Sequence, residues 1–119
     1  VEENDLRKRT FDYARRIIRL YSSLGNKPLE QVIGKQSLRS GTSIGANYRE
    51  AYRSRSKAEF IAKIGDCLKE AEETQYWLEL MQAEEIIAAN RLNDLIKETN
   101  ELIAIFVSSM NTAKNNLTS

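Results

Sequence analysis

The stretch Leu38-Arg39-Ser40-Gly41-Thr42-Ser43-Ile44-Gly45-Ala46-Asn47-Tyr48-Arg49-Glu50-Ala51 reads as helix, yet it carries two glycines in its interior. Each costs about 1 kcal/mol against alanine in a helix, and a close backbone approach is the usual offset. Ser37, Gly41 and Gly45 recur at four-residue steps, a stripe of small residues against which another helix can pack unusually near. Arg39, Ser43, Asn47 and Glu50 form a second stripe, about 160° around the helix from the first. One face packs by smallness and the other by hydrogen bonds, as expected of a helix that meets both its own bundle and a neighbouring subunit. A phosphate-loop reading of Gly41-x-x-x-Gly45 fails, because no strand precedes it and no Gly-Lys-Ser/Thr ending follows. Ser43 has no base beside it in sequence to make it a nucleophile.

Working outward, an antiparallel hairpin that turns near residue 55 sets Arg39 level with Glu70 and Ala71, and Ser43 level with Cys67. Arg39 is therefore expected to pair with Glu70 or Glu73, since an arginine partly buried in a bundle needs a carboxylate. A catalytic role for Glu70 and Glu73 lacks a metal-binding histidine or any further partner group. The first helix is read from about Leu6 to Leu24, with Phe11, Ala14, Ile17, Ile18, Tyr21 and Leu24 as its apolar stripe. Gly25-Asn26-Lys27-Pro28 stops it, glycine suiting the C′ position. The second helix runs from about Leu29 to Tyr52, with Leu29, Val32 and Ile33 in its first half. Ser56-Lys57-Ala58-Glu59 has capping-box spacing for a third helix bearing Phe60, Ile64, Leu68, Ala71, Leu78 and Met81. Asn90 is read as the N-cap of a fourth, with Leu92, Leu95, Ile96, Leu102, Ile103, Phe106 and Met110, and Lys114 to Ser119 as frayed. No strand-like alternation occurs. The prediction is an all-α, antiparallel up-down-up-down four-helix bundle, one domain over residues 1–119 with its core at about 6–113.

Composition excludes several chemistries. The 119 residues contain no histidine, which removes histidine-based triads, most zinc sites and di-iron sites built on Glu-x-x-His. Neither a metal nor a cofactor is expected. One cysteine, Cys67, cannot form an internal disulfide and fits a reducing compartment. No apolar run reaches membrane length, no signal-peptide pattern opens the chain, and the opening Val1 points to a trimmed or tagged chain. A cytoplasmic location is expected. Asn116-Leu117-Thr118 matches a glycosylation sequon by chance. The net charge of +1 conceals a strong asymmetry: residues 7–69 hold 15 Lys/Arg against 5 Asp/Glu, and residues 70–119 hold 3 against 9.

Arg39-Ser40-Gly41-Thr42-Ser43-Ile44-Gly45-Ala46-Asn47 with Glu50-Ala51, then Phe60-Ile61-x-Lys63-Ile64, then Leu68-Lys69-Glu70-Ala71-x-Glu73-Thr74-x-Tyr76-Trp77-Leu78 carry a resemblance. The chain resembles the four-helix-bundle family of bacterial 23S ribosomal-RNA intervening-sequence proteins, from about Phe11 to Met110. The wider group includes accessory variability proteins of diversity-generating retroelements. The resemblance implies an antiparallel four-helix bundle assembled as a homopentamer. It also implies a nucleic-acid association in the retroelement relatives, which are strongly basic where this chain is near neutral. Ser37, Arg39, Gly41, Ser43, Gly45, Asn47, Glu50, Glu70, Glu73 and Trp77 are expected to serve structure and interfaces.

Folded as a bundle, the sequence gathers Arg7, Lys8, Arg9, Arg49, Arg53, Arg55, Lys57, Lys63 and Lys114 at one pole, opposed by Glu2, Glu3, Asp5, Asp12, Glu50 and Glu59. Such a pole suits phosphate contacts, with Arg7, Lys8, Arg9, Arg49, Arg53, Arg55 and Lys57 as RNA-binding residues and Tyr48 and Tyr52 as stacking candidates. The expected function is a non-enzymatic, homo-oligomeric bundle associated with RNA or the ribosome. The alternative is a protein-interaction scaffold without nucleic acid; neither reading involves a small-molecule substrate or a membrane.

Overall fold

A computed structural model describes residues 3–118, with side chains from 6 to 116. Four helices follow one another: α1 (Glu3–Ser22), α2 (Pro28–Tyr52), α3 (Lys57–Ala83) and α4 (Ala89–Thr118). At 1.5 Å per residue the longer helices span about 38–45 Å, which accounts for a rod of 51 × 21 × 20 Å.

Neighbouring helices run in opposite directions, as the residue pairs across each seam show. From α1 to α2, Ile17 meets Gly41 and Thr10 meets Gly45. From α2 to α3, Arg39 meets Glu70 and Glu50 meets Lys63. From α3 to α4, Gln82 meets Asn93 and Gly65 meets Met110. Close backbone packing joins α1 to α2, α2 to α3 and α3 to α4. The fourth seam, between α1 and α4, is bridged by long side chains instead: Tyr13 to Thr99 and Arg9 to Glu98 and Glu101.

The buried positions alternate three- and four-residue steps, the pattern of a coiled-coil seam. On α3 they are Ile64, Cys67, Ala71, Thr74, Leu78 and Met81. On α1 they are Leu6, Thr10, Tyr13 and Ile17, which corrects the face expected for that helix. Phe11 and Ile18 are about half exposed, as are Leu29 and Val32 at the start of α2. A threonine and a tyrosine occupy seam positions of α1, so a count of apolar residues lands on the adjoining face. These buried hydroxyls are satisfied. Thr99 gives its proton to the Leu95 carbonyl at 2.7 Å, leaving Tyr13 to donate to Thr99 at 2.6 Å. Thr74 reaches Ser40 Oγ at 2.8 Å between α2 and α3. Among the described residues no buried side-chain nitrogen or oxygen lacks a partner.

The helix ends depart from expectation in three places. Gly25 is not a left-handed C′ residue, since no described glycine has positive φ. The end of α1 closes instead through Ser23 N–H to Arg19 and Leu24 N–H to Tyr21. Asn90 is the second residue of α4, not its cap. The polar tail 114–118 is helical because α4 lies beside the start of α3 there, and tertiary contact overrides its composition. The proposed cap of α3 does form. Ser56 Oγ accepts from Glu59 N–H at 3.1 Å, while the Glu59 carboxylate accepts from Arg55 N–H at 3.3 Å, one residue short of the reciprocal bond.

Candidate nucleic-acid interface

Both stripes of α2 are used within the chain, because α2 lies between α1 and α3. A Cβ on Gly41 would stand 2.8 Å from Ile17 Cγ1, and one on Gly45 would stand 3.3 Å from the Thr10 carbonyl oxygen. Ser37 is buried and donates to the Ile33 carbonyl at 3.1 Å. Gly34, which the sequence did not single out, fits against Leu24 and Tyr21 in the same way. On the other face Arg39 forms ion pairs with Glu70 at 3.5 Å and with Glu73. Glu73 also accepts from Trp77 Nε1 at 3.0 Å. Ser43 donates to the Arg39 carbonyl at 2.6 Å, Asn47 is half-buried, and Glu50 accepts from Lys63 at 2.8 Å. The Arg39 side chain is 50% exposed while those of Glu70 and Glu73 are 19% and 30% exposed, so the network is half-buried and wettest at the guanidinium.

The start of α1, the α2–α3 joint and the end of α4 meet at one pole, and its cations fall into three groups. Arg9 is taken by acids, bonded to Glu98 through Nε at 2.7 Å and Nη2 at 2.8 Å, and to Glu101 at 2.7 Å. Hydrogen bonding to Glu98 raises its already high pKa, so it stays charged and occupied. Lys8 pairs with Asp12 at 2.6 Å, and this hydrogen bond lowers the Asp12 carboxyl pKa. Lys63 is likewise held protonated by Glu50. The second group lies on aromatic rings: Arg7 is 4.6 Å from the centre of Tyr52, and Arg49 is 5.5 Å from that of Phe11. Such stacking fixes a guanidinium without neutralising it.

Arg53, Arg55 and Lys57 form the third group. They are exposed, lie within five residues on the joint, and have no ion pair among the described residues. Lys114 is also exposed at this end of α4. Glu2, and the side chains of Glu3 and Asp5, lie outside the described residues. Tyr48 does not face outward as a stacking platform. It is 2% exposed, with its ring 6.4 Å from that of Phe106, whereas Tyr52 is 39% exposed.

A groove of about 770 Å³ opens at the same pole. Its floor is apolar, from Leu6, Ala51, Phe60 and Ile105. One wall comes from α4, with Ser108, Ser109 and Thr112, and Arg55 and Lys57 stand on the rim. No Asp or Glu lines it among the described residues. Sequence reading missed this groove because it forms where four separate segments converge. The ring-stacked cations were more accessible: the α1–α2 register that sets Thr10 by Gly45 also sets Phe11 near Arg49.

Four antiparallel helices with an open groove at one pole, Arg55 and Lys57 on its rim, define a helical-bundle protein with a cation-edged end. No group of three or more metal-binding side chains occurs among the described residues. The chain belongs to the 23S rRNA-intervening sequence protein family, which it matches over residues 2–108. Its fold is similar to the crystal structure of a protein with unknown function from the S23 ribosomal protein family of Bacteroides thetaiotaomicron VPI-5482. That likeness has a TM-score of 0.86 at 40% identity, covering 93% of this chain and 99% of the other. No curated protein matches the chain. No helix among the described residues is long and apolar enough to cross a membrane.

Proposed function

We propose that the protein is a non-enzymatic, homo-oligomeric bundle, acting in the cytoplasm, that associates with RNA through its cationic pole. The observation that carries this reading is the run Arg53, Arg55, Lys57, three exposed cations with no carboxylate partner among the described residues. Arg7 and Arg49 add charge held on aromatic rings. The family's link with ribosomal RNA supports the choice of polyanion. Arg9 and Lys8 contribute least, since carboxylates already hold them.

Gel retardation of a labelled single-stranded RNA against salt tests the proposal. Each phosphate neutralised adds a slope of roughly −0.7 in log affinity against log salt. Replacing Arg53 and Arg55 with glutamine should weaken binding and flatten that slope, leaving the oligomer intact. No retardation at about 50 mM salt, where phosphate contacts are strongest, refutes the RNA reading. The protein-scaffold reading then takes its place, supported by the half-exposed Phe11, Ile18, Leu29 and Val32 on α1 and α2.

A further inference from the structure

We infer that the groove at this pole receives one unstacked nucleotide of a single strand, its base between α2, α3 and α4 and its phosphate on Arg55 and Lys57. This rests on the RNA reading above and narrows it from a charged surface to a strand-selective pocket. Three properties of the groove converge on that ligand.

The first is the floor. Half-buried Phe60 and Ile105 present apolar surface to a base's π-face over the buried Leu6 and Ala51, and Tyr52 stands beside them with Arg7 against its ring. The second is the wall. Ser108, Ser109 and Thr112 supply hydroxyls that donate or accept as required, matching the mixed edge of a nucleobase. An acyl chain or an apolar peptide would leave these hydroxyls and both cations without partners. The third is the sign of the rim. Arg55 and Lys57 face no carboxylate in the groove, so the field there is complementary to a phosphodiester. The volume lies within the roughly 300–1,000 Å³ typical of small-ligand sites, enough for one nucleotide. A duplex cannot use it, because its bases are paired and stacked out of reach.

Fluorescence anisotropy on the intact protein at low salt separates pocket from surface. The probes are a ten-residue oligouridylate, an abasic strand with the same number of phosphates, and a ten-base-pair RNA duplex. The base-bearing strand should bind about tenfold tighter than the abasic one, the order expected for one base stacked on protein. The duplex should show no comparable gain beyond its extra charge. Ser108→Trp fills the groove from an exposed position on α4 without altering charge, and should reduce oligouridylate to the abasic affinity at an unchanged salt slope. Tyr52→Ala should shift in the same direction, with circular dichroism confirming the fold of both variants. Equal binding of abasic and base-bearing strands, or a full base preference in Ser108→Trp, overturns the pocket while the cationic pole stands. Binding of none of the probes overturns both.

Discussion

Gly41 and Gly65 both sit inside helices, and their surroundings give opposite answers to alanine. A Cβ at Gly41 meets Ile17 at 2.8 Å, and Ile17 is fully buried with nowhere to go. Overpacking of about 1–3 kcal/mol outweighs the gain in helix propensity of about 1 kcal/mol, so Gly41→Ala should lower stability. At Gly65 the only neighbour is the flexible end of Met110, at an ordinary 3.4 Å. Gly65→Ala should therefore raise stability by up to about 1 kcal/mol. Urea midpoints of the two variants should move in opposite directions at constant slope. Cys67 is fully buried on α3, and burial pushes its thiol up to about 12. Almost no thiolate exists at pH 8, so a disulfide reagent should modify it only after denaturation. Stoichiometric labelling of the native protein would contradict this packing.

Among the elements, the α3–α4 joint holds a fault that one substitution repairs. Glu85 takes φ 54°, the left-handed conformation that favours glycine. Around it Glu85 N–H bonds to Gln82 and Ile86 N–H to Met81, the paired bonds of a Schellman turn. Glu85→Gly should stabilise the fold by about 1 kcal/mol, since the left-handed form costs other residues roughly that much. Between α2 and α3, Arg39→Met should cost only about 0–1 kcal/mol, because the pair is half in water. A drop of several kcal/mol in a thermal melt would show that the network is far drier. These elements differ in how far sequence revealed them. Number, type and direction were legible because four apolar periodicities are separated by short breaks. The Arg39 pairing was legible because the hairpin register follows from its turn. The outward face of α1 was not, since Thr10 and Tyr13 fill seam positions that apolar counting skips. Nor was the fate of Arg9, whose partners Glu98 and Glu101 belong to another helix in a register that no local signal fixes.

At the scale of the molecule, the half-exposed Phe11, Ile18, Leu29 and Val32 leave apolar surface on the α1–α2 side. Where such side chains adjoin, they mark surface that a partner covers. With the small-residue stripe occupied by α1, these side chains become the candidates for contact between copies. Light scattering of the wild type should give a multiple of 13.6 kDa. Ile18→Glu with Val32→Glu should reduce that mass without loss of helix signal. A wild-type protein that stays monomeric at micromolar concentration refutes the assembly. The RNA test of the pole is independent of this one, since Arg53, Arg55 and Lys57 lie at the end of the rod.

The α1–α4 seam, spanned by side chains where the other three seams bring backbones together, sets an order in which the fold comes apart. Losing Tyr13–Thr99 and the Arg9 bonds releases α1 along one edge while α2, α3 and α4 keep their mutual packing. Native-state hydrogen exchange should therefore find α1 amides opening at lower free energy than those at the centre of α3. The bundle behaves as a three-helix board with a shutter hung on α2. Because Leu6 of that shutter forms part of the groove floor, its excursions change the shape of the pocket before the rest of the molecule has moved.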